Sequence, residues 1–301
     1  MADIQVVNVF TSAWGGGNPA PIVLSADGMS ETDMQKVASD YGRESGFVFH
    51  PDDPGTHDLH LRFFVPRHEM SMCGHATLGA VWLLAQHGLV HSDHLSIQTL
   101  SGTVNAFIKT RPDGGRSIEI SQPSGAVSEI PRPELRREIL AAMGLKHHDA
   151  LDLPFLNSCT SRVKTIIPLR SQAVLDEAVP DSAAIEGLCE RIGSTGLYPF
   201  AIDPEQVRKF DARQFPKSSG YPEDPATGIA AAALVFGLLH YAMVTATPET
   251  ILVHQGRAMG KPSDIHVRLE LGEVTGARPI GCFLGGDVEL AENFPKVNRH
   301  E

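Results

Sequence analysis

Apolar residues fall into two kinds of run along the 301-residue chain, short alternating stretches and two longer stretches that are apolar on nearly every side. Ile4–Thr11, read as Ile-Gln-Val-Val-Asn-Val-Phe-Thr, predicts a strand that ends at the turn Gly15-Gly16-Gly17-Asn18-Pro19, and residues 21–24 predict its return. Ser30 caps a predicted helix whose first turn is acidic. Met34, Val37 and Ala38 supply its inward stripe, and it should end near Gly42. Residues 46–49 and 60–65 read as strands on either side of the turn-rich Pro51-Asp52-Asp53-Pro54-Gly55.

The two longer runs are predicted helices over residues 75–87 and 229–239, the second opened by Glu223-Asp224-Pro225-Ala226-Thr227-Gly228. At an offset of 154, Gly74 falls on Gly228, Ala76 on Ala230, Val81 on Val235, Leu84 on Leu238, Ile97 on Ile251 and Gly102 on Gly256. Arg62-Phe63-Phe64 matches Arg213-Gln214-Phe215 at an offset of 151. Such self-similarity predicts two copies of one supersecondary unit. A helix apolar all round must be buried all round. The expected fold is therefore α+β, with two pseudo-symmetric domains, each a curved sheet around a central helix, and a site in the cleft between them.

Ser121-Gln122-Pro123-Ser124-Gly125 marks the expected boundary, giving halves 1–122 and 123–301, with a strand from 280–301 as a candidate to complete the first. Surface helices are predicted over residues 133–144 and 182–192. The net charge of -11, with no basic stripe, argues against nucleic acid and anionic membranes as partners but leaves room for a small anionic substrate. The N-terminus has no leader pattern, and no run of about 18 apolar residues occurs, so a cytoplasmic protein is expected. Cys73, Cys159, Cys189 and Cys282 form no CxxC pair, which suggests neither a disulfide framework nor zinc. Trp14-Gly15-Gly16-Gly17-Asn18-Pro19 lacks dinucleotide-fingerprint spacing, and His50, His57, His60, His147 and His148 lack a ligand spacing.

Candidate chemistry gathers at the two helix starts, where backbone N–H groups and the helix dipole attract an anion. Asp224 stands just before the second start and reads either as a helix cap or as a functional carboxylate. His75, at the first start, is placed to donate to a bound oxygen. Glu44 stands at the edge of the apolar strand 46–49, where partial desolvation suits a carboxylate to proton transfer, or else it is a surface ion-pair partner. Cys73 at a helix N-terminus could act as a thiolate base. Its repeat equivalent, Thr227, carries no thiol.

The chain resembles the PhzF-like (phenazine-biosynthesis) isomerase family, related in fold to diaminopimelate epimerase and proline racemase. The residues that carry the resemblance are Gly16-Gly17-Asn18-Pro19-Ala20, Glu44, Cys73-Gly74-His75-Ala76-Thr77-Leu78, Arg213 with Phe215, the hexapeptide 223–228, and Gln255-Gly256 with Met259-Gly260. The resemblance implies two pseudo-symmetric domains, a homodimer and cofactor-free proton transfer. The residue matching Glu44 would shuttle a proton between carbons of a small carboxylic acid, with those matching His75 and Asp224 assisting. Residues matching Gly74, Cys73, Gly228 and Ile229 would contact the substrate, and no metal is implied. Ile229 stands where the family commonly has serine, leaving only a backbone N–H, and Arg43 replaces another frequent serine. Two alternatives remain open, a Cys73-dependent racemase or epimerase and a catalytically silent binding or scaffold protein.

Overall fold

Seventeen strands and six α-helices make up the computed structural model, which describes residues 3–13, 15–203, 205–273 and 278–291. Trp14, and residues 292–301 of the segment expected to complete the first half, lie outside those described. In chain order the first elements are β1 (Ile4–Thr11), β2 (Asn18–Val23), α1 (Glu31–Tyr41), β3 (Ser45–Phe49), β4 (Leu59–Phe64) and β5 (Glu69–Met70). Next come α2 (Gly74–Gln86), β6 (His94–Thr99), β7 (Gly102–Thr110), β8 (Arg116–Pro123), β9 (Ala126–Glu129), α3 (Pro133–Ala141), β10 (Leu156–Cys159) and β11 (Val163–Pro168). The rest are α4 (Gln172–Glu177), α5 (Ser182–Ile192), β12 (Gly196–Ile202), β13 (Lys209–Ala212), β14 (Phe215–Pro216), α6 (Gly228–His240), β15 (Ile251–Gln255), β16 (Ser263–Glu270) and β17 (Gly281–Leu290).

The chain divides into one unit of Met1–Ser121 with Gly285–Glu301 and a second of Gln122–Leu284. In the first, β1 pairs antiparallel with β2, β2 parallel with β3, β3 antiparallel with β4, β4 parallel with β6, and β6 antiparallel with β7. β7 continues to β8, and β17 pairs with both β8 and β1, so the sheet closes on itself. The second unit repeats the order of senses: β10–β11 antiparallel, β11–β12 parallel, β12–β13 antiparallel, β13–β15 parallel, β15–β16 antiparallel. The duplicated α+β architecture expected from the repeat is therefore the architecture observed.

Each unit holds one 13-residue helix, α2 or α6, and the two are 154 positions apart at both ends. Eleven of the α6 residues and ten of the α2 residues are buried, as all-round apolar helices require. Close approach is permitted by glycine: a Cβ on Gly79 would stand 2.6 Å from Val7, and one on Gly46 2.9 Å from Ile22 and 3.3 Å from Ala76. α1 carries the predicted Ser30 cap, reciprocated by Asp33, and ends at Gly42 with φ of 63°.

Several boundaries differ from expectation. β2 already begins at Asn18, because pairing with β1 continues through Asn18 and Pro19 and confines the turn to the glycines. The helix predicted over 75–87 starts one residue earlier, and α3 stops at Ala141 rather than 144. Among the described residues no helix is long and apolar enough to cross a membrane, and no disulfide joins the four cysteines.

Candidate functional site

In the first unit β3 is entered directly from Glu44 and α2 directly from Cys73, which brings Glu44, Cys73 and His75 together. The Cys73 thiol donates to Glu44 Oε2 at 3.5 Å and lies 3.4 Å from His75 Nδ1, while Nδ1 is 3.4 Å from the same Oε2. The His75 side chain is 4% exposed and that of Glu44 12%. Burial holds the His75 imidazole below its ordinary pKa of 6.5, opposed by the charge of Glu44 and reinforced by that of Arg43. Burial thus favours the neutral ring, and its Nε2 is buried without a hydrogen-bond partner. Cys73 occupies the N-cap of α2 in extended conformation without capping through its side chain. The first backbone N–H groups of the helix, beginning at Gly74, have no acceptor within the helix.

The second unit builds its helix start differently. Thr227, not Asp224, is the N-cap of α6, again with no side-chain cap on the helix, and its hydroxyl donates to Asp224 Oδ2. Asp224 is buried, and its N–H donates to Gln214 O at 3.0 Å. Gln255 fixes the turn from the other side: its amide donates to Asp224 O at 2.7 Å and its Oε1 accepts from Thr227 N at 3.3 Å and Tyr198 OH at 2.9 Å. Burial, helped by the charge of Asp224, holds the Tyr198 phenol well above its ordinary range, so it remains a donor. Gly256 sits at φ 77°, and a Cβ there would lie 2.1 Å from Lys261 O and 2.6 Å from Pro225 O. Gly228 and Ile229 open the helix, and both are buried.

A pair of clamps supports the two turns. Arg62 binds Glu69 through two bonds of 2.7 Å and lies over Phe64 at 5.5 Å. Arg213 binds Glu223 at 2.8 and 2.7 Å and lies over Phe215 at 4.9 Å. Glu69 and Glu223 are themselves 154 positions apart, a correspondence that the repeat spacing carries. The roles of Tyr198 and Gln255 in holding Asp224 were missed, since only the fold brings β12 and β15 to the turn. His50 and His57 engage Asp27 and Thr103 instead of gathering into a ligand set. Among the described residues Glu44, Cys73 and His75 are the group whose ligand atoms could hold a metal ion, all within 4.8 Å of one another.

A family model described as phenazine biosynthesis-like protein (PhzC-PhzF) matches residues 7–279. The uncharacterized isomerase YddE of Escherichia coli is 32% identical over 269 residues, covering 88% of this chain and 89% of the relative. The trans-2,3-dihydro-3-hydroxyanthranilate isomerase of Pseudomonas aeruginosa is 30% identical over 267 residues, with 88% and 89% covered. The solved structure of a Bacillus anthracis PhzF-family protein aligns at a TM-score of 0.85 with 24% identity over 97% of each chain. A probable proline racemase from Agrobacterium radiobacter shares the fold at a TM-score of 0.67 and 11% identity, covering 97% of this chain and 91% of its own. The chain belongs to the phenazine-biosynthesis-like PhzC-PhzF family, and it is an isomerase.

Proposed function

We propose that this isomerase moves a proton between carbons of a small carboxylic-acid substrate without a cofactor, with Glu44 as the general acid and base and His75 and Asp224 assisting. The observation that carries this reading is the contact of the Glu44 carboxylate with Cys73 and His75 at the start of a buried helix. A carboxylate there has its carrier oxygen poised beside two polar groups and shielded from bulk water, as proton transfer to carbon requires. Developing enolate charge is answered by the N-terminus of α2 at Gly74, whose N-cap Cys73 makes no side-chain cap, and by His75, whose Nε2 a substrate oxygen would satisfy. Ile229 contributes its backbone N–H and an apolar wall. The activity for which the Pseudomonas relative is named, the isomerisation of trans-2,3-dihydro-3-hydroxyanthranilate, acts on an unsaturated carboxylic acid and is of this class.

Solvent deuterium incorporation into a panel of small carboxylic acids tests the reading. Glu44→Gln should lower the exchange rate by about 10²- to 10⁴-fold, the contribution of one general acid–base group. Exchange at the wild-type rate would remove Glu44 from the mechanism.

A second reading is favoured by the 3.5 Å contact between Cys73 and Glu44, in which the thiol carries the proton in a racemisation. Cys73→Ser separates the two: near-normal exchange leaves Glu44 as the carrier, whereas loss as deep as in Glu44→Gln assigns the step to sulfur.

A further inference from the structure

Glu44, Cys73 and His75 have a property that proton transfer does not call for. Their ligand atoms form a nearly equilateral triangle with edges of 3.5, 3.4 and 3.4 Å. Four ligands held tetrahedrally at about 2.0–2.3 Å from a zinc ion are about 3.3–3.8 Å apart, so the triangle matches one face of such a site. An ion capping the triangle in tetrahedral geometry lies about 2.1 Å from each atom, the edge divided by about 1.63, within the range of zinc–nitrogen and zinc–oxygen bonds. Thiolate, imidazole and carboxylate are also the three donor types that zinc accepts.

We propose that Glu44, Cys73 and His75 form a binding site for a thiophilic divalent cation, zinc above all, and that its occupancy switches the isomerase off. Binding forms a bond from the metal to Cys73 Sγ and releases the thiol proton to solvent; Glu44 and the neutral His75 donate lone pairs they already carry. The fourth corner is left for water or a substrate oxygen. The site is inhibitory rather than a resident metal centre for two reasons. His75 Nε2 has no hydrogen-bond partner, whereas a metal-bound histidine ordinarily has its second nitrogen held by one. A metal on Glu44 Oε2 would also occupy the oxygen assigned to the proton. The metal site stands on geometry alone, while the inhibition rests on the proposed role of Glu44.

Cobalt reports on such a site because a cobalt–thiolate bond absorbs in the near ultraviolet. The full-length chain, stripped with chelator and titrated with Co²⁺, should develop that absorption at one equivalent and lose it to added Zn²⁺. Cys73→Ser should abolish the band, Glu44→Gln and His75→Gln should each weaken cobalt affinity by about tenfold or more, and Cys159→Ser should leave it unchanged. No band, or a band that survives Cys73→Ser, overturns the site. Should Cys73→Ser fail to fold, by circular dichroism, the Glu44→Gln titration decides: unchanged affinity refutes the site. In the exchange assay, Zn²⁺ at ten times its dissociation constant should lower the rate about tenfold, with chelator restoring it. A wild-type band with no loss of exchange overturns the inhibition and counts against the role of Glu44, leaving the metal site intact.

Discussion

The turn before α2 and the turn before α6 share a scaffold and share almost no chemistry. Both follow an Arg-x-Phe segment whose arginine reaches forward to a glutamate, Glu69 or Glu223, and both end in an N-cap that leaves the helix start uncapped by a side chain. Between those fixed points the residues differ wherever they are polar. At the offset of 154, Cys73 corresponds to Thr227, His75 to Ile229 and Asp224 to Met70. Glu44 corresponds, at 151, to Thr195, whose hydroxyl is used on Val163 O. Duplication preserved what holds a buried apolar helix at a fixed place and left each half to carry a different reactive group.

The clamps give the sharpest contrast in stability. The Arg213 and Glu223 side chains are each 9% exposed, and Arg213 also donates to the carbonyls of Leu175, Asp176 and Ala178. Arg62 and Glu69 are 21% and 23% exposed. Arg213→Ala strands a buried carboxylate and three carbonyls, so it should cost about 3–5 kcal/mol in urea unfolding. Arg62→Ala should cost about 1 kcal/mol or less. Equal losses would mean that the two clamps are energetically one device and that the difference in burial is immaterial.

Next in size is the pair Gly256 and Gly102, repeat equivalents with φ of 77° and 108°. Around Gly102 a Cβ would meet nothing within 4 Å, whereas at Gly256 it would overlap Lys261 O and Pro225 O. Gly102→Ala should therefore cost only backbone strain, about 1–3 kcal/mol. Gly256→Ala should add about 1–3 kcal/mol of overpacking against the Asp224 turn, and lower isomerase activity as well. Thermal unfolding of the two variants side by side, with activity measured on each, tests whether the second turn is the more tightly specified.

Much of this was legible in the sequence, and the reasons can be read from particular residues. The central helices announce themselves because a helix buried on all sides has no polar face, and the glycines at 74, 102, 228 and 256 mark the repeat at fixed spacing. Glu44, Cys73 and His75 could be named, but their meeting could not, since Glu44 enters β3 and the other two begin α2. β9 went unpredicted, because a four-residue strand that is exposed at three positions, Ala126–Glu129, carries no alternation to read. Tyr198 looked like an ordinary strand residue, and Gln255 carried the family resemblance without a stated role; only the parallel pairing of β13 with β15 brings Gln255 to Asp224.

A smaller effect separates His75 from Ile229. Burial depresses the folded-state pKa of His75 below 6.5, so the unfolded chain takes up the proton first as pH falls. Its contribution to stability is full above about pH 6.5 and is lost below it, with a slope of at most about 1.4 kcal/mol per pH unit. His75→Gln should flatten the stability curve between pH 7.5 and about 5.5 relative to wild type. Parallel curves would show that His75 is not held neutral by burial.

The smallest expected effect concerns Thr77, whose hydroxyl donates to Cys73 O at 2.8 Å where the equivalent Ala231 has none to offer. The same carbonyl also accepts the Thr77 N–H at 3.0 Å, so it is not stranded when the hydroxyl goes. Thr77→Val, nearly isosteric, should cost about 1 kcal/mol, and Thr77→Ser, which keeps the hydroxyl, should lose less. If Thr77→Ser unfolds no later in urea than Thr77→Val, the hydroxyl bond contributes nothing. The polar distinction between the two helix starts would then narrow to Cys73 and His75 themselves, the residues that face Glu44.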